Sequence, residues 1–205
     1  MSIQKKVRFV NAPFQELALE KYQQRLIETL IDAIEPDTAS GELPLLPIIE
    51  RYRPIGSTSE VLFRTVRKCF GTVKSHVSHV VADSPKWEHT AAYYLEKIPF
   101  VVSYVKNDHL DFTIPYEYQG KRHEYRPDFL ARLKCEDGSK VNAIIEIKGF
   151  ETDKDKQKFL AAKKWVKAVN NQGGFGKWVY VYCRNPQKLE EALKTELEKV
   201  LGELG

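Results

Sequence analysis

The run Ala143-Ile144-Ile145-Glu146-Ile147-Lys148-Gly149 constrains this chain more than any other stretch, because it sets an acid and a lysine into the most apolar strand. Side chains alternate along a strand, so Ile145 and Ile147 anchor in a core while Glu146 and Lys148 share the other face. A buried carboxylate is costly unless a partner compensates it, and a divalent cation gripped by two acids is one such partner. Pro127-Asp128 offers the second acid at the start of the preceding strand, Phe129-Leu130-Ala131-Arg132-Leu133. With 17 residues between them, Asp128 and Glu146 are the length of a hairpin apart and are expected side by side. An acid-x-Lys triplet turns up about once by chance in a chain of this size, and here it occurs once, on that strand. Its context carries the information; a solvated edge strand with an ordinary ion pair is the competing reading.

The chain has 205 residues, 42% of them hydrophobic, enough for a folded core. Its apolar runs fall far short of the roughly 20 residues that cross a bilayer, so no membrane span is expected. The N-terminus has charge but no apolar segment of the kind that directs secretion. Cys69, Cys135 and Cys183 are an odd, widely spaced set without a Cys-x-x-Cys pair, which argues against a disulfide framework or a cysteine zinc site. A reducing cytoplasm is the expected location. A net charge of +4 is compatible with a nucleic-acid partner if the charge is patterned.

Asn11-Ala12-Pro13 and the spacing of Ile27, Leu30, Ile31 and Ile34 predict a long amphipathic helix, and Pro44, Pro47 and Pro54 impose a loop after it. Residues 1–60 therefore read as a helical connector or appendage, and residues 61–205 as the main domain. Residues 60–79 read as short strands. Asp83-Ser84-Pro85-Lys86-Trp87-Glu88 opens a helix to Lys97, with Trp87, Ala91, Tyr94, Leu95 and Ile98 as its buried stripe. Strands over 100–105, 111–118, 121–125, 129–133 and 141–147 form a predicted meander. A helix over 153–170, a strand over 177–182 and a last helix after Asn185-Pro186 complete an α/β order, for which a mixed sheet flanked by helices is the natural packing.

Pro127-Asp128 followed by Glu146-Ile147-Lys148, in this order of elements, resembles the PD-(D/E)xK nuclease superfamily, the restriction-endonuclease-like fold. Lys74-Ser75-His76-Val77, Val81-Ala82-Asp83, Lys86-Trp87-Glu88, Ala91-Ala92-Tyr93-Tyr94-Leu95, Ala161-Ala162-Lys163-Lys164-Trp165 and Gly176-Lys177-Trp178 further resemble the C-terminal endonuclease region of type III-like restriction enzymes, in which a helicase is fused to a nuclease. The likeness spans about residues 55–185, and residues 1–54 resemble the connector that follows the helicase. It implies a Mg2+-dependent endodeoxyribonuclease, with Mn2+ as a substitute, acting in restriction of foreign DNA. Asp128, Glu146 and the carbonyl of Ile147 would hold the metal, Glu88 would add a third carboxylate, and Lys148 would orient the nucleophile or offset phosphoryl charge. The implied partners are double-stranded DNA, an upstream helicase region and a methyltransferase specificity subunit. No Gly-x-x-x-x-Gly-Lys-Ser/Thr occurs, so no ATP site is assigned; the chain is either a fragment of a helicase-nuclease or a stand-alone nuclease.

Weaker signals point to DNA as well. Lys156, Lys163 and Lys167 recur on one face of a predicted helix and could track phosphates, although most such rows are solvated faces. Arg126 lies beside the proposed metal site. Tyr116, Tyr118 and Tyr125 alternate along strands and could stack on bases, with core packing as the simpler reading. His76 and His79 lack a convergent third ligand. Two other functions remain open: a non-cleaving DNA clamp or docking module for a helicase, and a repair exonuclease or junction-resolving nuclease.

Overall fold

Alternating apolar and polar residues in the middle of the chain become a sheet in the computed structural model, which describes residues 56–81, 87–148 and 152–202. The helix and proline-rich connector expected before residue 55, and the capping residues Asp83 to Pro85, lie outside the described residues. Strands β1 (Cys69–Gly71) and β2 (His79–Val81) form a small antiparallel pair. Helix α1 (Glu88–Lys97) leads into β3 (Val101–Lys106), and the hairpin β4 (Ile114–Tyr118) and β5 (Lys121–Tyr125) follows. Next come β6 (Phe129–Lys134), β7 (Lys140–Ile147), helix α2 (Asp153–Gln172), β8 (Lys177–Cys183) and helix α3 (Leu189–Gly202).

The central sheet has four strands in the order β3-β6-β7-β8. The first three are antiparallel neighbours, and β8 runs parallel to β7. A parallel pair needs a crossover, and α2 supplies it. The fold is thus a mixed α/β sheet flanked by helices. The expected five-strand meander is corrected in one respect: β4 and β5 leave the central sheet and form a sheet of their own. Their turn explains why they pair so tightly, since Gln119 and Gly120 both take positive φ, the geometry that suits a two-residue hairpin. Residues 61–68, expected to hold a strand, contain none, and Leu62 and Val66 are fully exposed.

Two apolar layers form, one on each face of the sheet. On one face Ile145, Ile147, Val179 and Val181 pack with Ala91, Leu95 and Ile98 of the first helix and with Leu189, Leu193 and Leu197 of the last. On the other, Ile144 and Tyr180 pack with Ile114, Tyr116 and Tyr125 of the hairpin and Ala162 of α2. Strand β7 is therefore covered on both faces, as its nearly continuous apolar run requires. Helix α2 begins with a reciprocal capping box between Thr152 and Asp155 and ends at Gly173, whose φ of 78° closes the last turn.

Ile145 is fully buried between the sheet and two helices. Ile145→Ala is expected to destabilise the protein by about 2–5 kcal/mol, read as a lower urea midpoint with an unchanged slope. Leu62→Ala, at an exposed position, should shift stability by less than about 0.5 kcal/mol.

Candidate functional site

Antiparallel register sets the site. Phe129 pairs with Ile145, so one step further the chain brings Asp128 level with Glu146. Asp128 precedes β6, and its Oδ2 accepts a hydrogen bond from the Ile147 N–H at 2.7 Å. The loop is held by Asn107, which follows β3: its N–H donates to the Asp128 carbonyl at 2.9 Å, and its side-chain amide donates to the carbonyls of Phe112 and Pro127. Asp128 is thereby fixed from the neighbouring strands on both sides.

Glu146 is buried on the same face as Ile144, beneath the β4–β5 hairpin and α2. The Tyr125 hydroxyl, at the end of β5, donates to its Oε2 at 2.7 Å and lies 3.3 Å from the Tyr180 hydroxyl. Tyr125 and Tyr116 are core residues, so the simpler reading of the tyrosines holds, with Tyr125 also orienting Glu146. Burial pushes the Glu146 carboxyl well up, and the negative charge of Asp128 pushes it further; the Tyr125 hydrogen bond and the ammonium groups of Lys158 and Lys148 oppose this. Burial likewise raises Asp128, against the Ile147 hydrogen bond; Glu88 adds to the rise, and Lys106 and Lys148 oppose it. Two acids that repel one another inside the protein accept a proton or a cation readily.

Lys148 follows the strand end and donates to Asp155 Oδ1 at 2.6 Å. Lys158 approaches the same oxygen at 3.6 Å. Although burial works against its ionisation, the Lys148 hydrogen bond and those from Thr152 bring the Asp155 carboxyl down to about 2. Glu88 opens α1, and its Oε2 pairs with Lys106 Nζ at 2.8 Å, while the same ammonium donates to the Val81 carbonyl at 2.7 Å. Glu88 is thus engaged by a buried lysine, close enough for Asp128 to feel its charge. Among the described residues, no three or more His, Cys, Asp or Glu side chains are grouped to hold a metal ion. The acids brought together are Asp128 and Glu146.

The expected DNA-contacting residues are dispersed. Arg126 lies 3.6 Å from Asp111 on the surface, and Lys156 lies 3.3 Å from Asp153. Lys163 turns to Glu196 of α3 at 3.5 Å and over the Phe159 ring, so it leaves the expected row, while Lys167 is exposed. Lys106, Asn107, Asp155 and Lys158 were not singled out from sequence. The i, i+3 relation of Thr152 and Asp155 is the readable signal among them, as a capping box. No helix among the described residues is long and apolar enough to cross a membrane. No family model matches the chain, and no curated protein or solved structure matches it either.

Both acids hold protons more tightly in the folded chain than in an unfolded one, whose carboxylates titrate near pH 4. Stability is therefore fullest at and below that pH as far as these two groups go, and falls as pH rises through their raised values. Chemical denaturation should show a loss on the order of 2 kcal/mol between pH 5 and pH 8, abolished in large part by Glu146→Gln. Asp155 acts in the opposite sense, since its stabilisation is present above pH 4 and is lost as pH falls toward 2.

Proposed function

We propose that the domain is a metal-dependent DNA endonuclease with a restriction-endonuclease-like fold. The observation that carries this reading is the placement of the half-buried Asp128 level with the buried Glu146 near the end of β7, where the charge of Asp128 raises the cost of ionising Glu146. Two carboxylates and the Ile147 carbonyl are hard oxygen donors, a set that suits Mg2+ or Mn2+. When bound, such an ion would polarise the scissile phosphate and lower the pKa of a bound water. Tyr125 keeps the Glu146 carboxylate turned into the site, and the Ile147 N–H does the same for Asp128. Lys148, fixed by Asp155, orients the attacking water near the phosphate. Glu88 balances the Lys106 ammonium beside Asp128.

The resemblance to type III-like enzymes supports double-stranded DNA as substrate and restriction of foreign DNA as the setting. Target recognition and translocation would come from a methyltransferase subunit and a helicase region. A second reading, a DNA clamp that does not cut, is favoured by the pairing of the third acid, Glu88, with Lys106.

Purified protein incubated with supercoiled plasmid and Mg2+ or Mn2+ is expected to nick or linearise it, and Asp128→Ala and Glu146→Ala should each abolish cutting. Duplex binding by Glu146→Ala should stay unchanged or tighten, because a negative charge facing phosphate is removed. Lys148→Ala should also stop cutting, with binding preserved or weakened. Cutting that survives all three substitutions would place the chemistry elsewhere, and a wild-type protein that binds without cutting would favour the clamp.

In the absence of DNA, millimolar Mg2+ or Mn2+ should raise the melting temperature more at pH 8 than at pH 5, since at low pH the cation competes with the protons these acids hold. Loss of that rise in Asp128→Asn and Glu146→Gln would assign it to these acids.

A further inference from the structure

Lys148 is the lysine of the strand motif, yet its ammonium is held at 2.6 Å by the Asp155 carboxylate, which faces it as a full negative charge. Lys148 and Asp155 together are neutral. Glu88 and Lys106 form a second neutral pair. If a divalent cation neutralises Asp128 and Glu146, none of these groups leaves a net positive charge for an incoming phosphodiester. Lys158 does.

Lys158 stands one turn into α2, three residues after Asp155. An ordinary surface pair at that spacing leaves its ammonium in solvent, but only 24% of the Lys158 side chain is exposed. Its Nζ lies 3.6 Å from Asp155 Oδ1 and 5.6 Å from the centre of the Tyr125 ring. The hydroxyl of that same ring is bonded to Glu146. The lysine is thus directed along the helix start toward the acids, supported on one side by a carboxylate and on the other by an aromatic face.

We propose that Lys158 is a substrate-binding residue that contacts a DNA phosphate at the site, with Asp155 holding both lysines in place. This rests on the nuclease reading and divides its labour: Lys148 serves the chemical step, and Lys158 serves binding of the polyanion. A lysine that binds ground state and transition state alike changes KM and leaves kcat nearly untouched, whereas one needed only for the chemical step changes kcat.

The test uses a fluorescent duplex oligonucleotide for affinity across a salt series and a plasmid for cleavage, with the full chain throughout. Lys158→Ala should weaken duplex binding on the order of tenfold and lower the salt slope by about 0.9. It should also raise KM by a similar factor with kcat within about twofold. Lys158→Arg, which keeps the charge, should recover most of the affinity. Lys148→Ala should show the converse, a loss of kcat with affinity changed by less than about threefold. Circular dichroism and melting temperature check that each variant folds. If the wild type binds and cuts but Lys158→Ala retains its affinity and salt slope, this assignment is overturned and the nuclease reading stands. If the wild type neither binds nor cuts DNA with either metal, both fall.

Discussion

The site depends on one hydrogen bond, from the backbone N–H of Ile147 to the carboxylate of Asp128. A side chain takes the donor at the point where the β6–β7 ladder ends, so the acid is drawn in beside the strand instead of turning out to solvent. Its neighbour Glu146 is buried on that strand by the hairpin and α2. The bond therefore fixes two negative charges where water screens them poorly. The Tyr125 hydroxyl and the ammonium groups of Lys106, Lys148 and Lys158 work against that repulsion, while Glu88 adds to it at Asp128.

The charges nearly balance. Glu88, Asp128, Glu146 and Asp155 face Lys106, Lys148 and Lys158, four acids against three lysines. Burial first, and the excess negative charge after it, make the Asp128–Glu146 pair titrate high, so that the excess is met by a proton or by a cation from solution. A divalent ion bound by the ionised pair turns the local balance from minus one to plus one. Such a reversal would convert a cluster that repels a phosphodiester into one that attracts it.

The layers of the fold make this placement rigid. The face of the sheet that bears Ile145 and Ile147 is sealed by α1 and α3, while the opposite face carries the hairpin and α2. The hairpin leaves the sheet between β3 and β6 and returns at Tyr125, so its last residue reaches over the strand ends to Glu146. Helix α2 starts right after the site and directs Asp155 and Lys158 from its first turns into it. An element that binds the lysines and an element that orients the acid thus meet in the second apolar layer.

What the sequence determined by itself was the central strand and its neighbours. Ile145 and Ile147 against Glu146 and Lys148 follow from period-two alternation, Gln119-Gly120 from turn chemistry, and the run from Phe159 to Val169 from helical spacing, because each is a local regularity of backbone geometry. The pairing of Asp128 with Glu146 was legible too, since a short hairpin leaves few registers. The partners were not. Glu88 lies 40 residues from Asp128, and its capture by Lys106 depends on where a helix meets a strand end, which no spacing encodes. Lys158 was indistinguishable from a solvated lysine, and the partner of Lys148 was hidden, until α2 folded back and set Asp155 between them. The departure of β4 and β5 from the central sheet was likewise decided by tertiary packing, because Tyr116 and Tyr125 bury themselves against Ile144 and Tyr180 and not against another strand of that sheet. Side-chain chemistry is written locally, but the compensation of buried charge is settled only when distant elements meet.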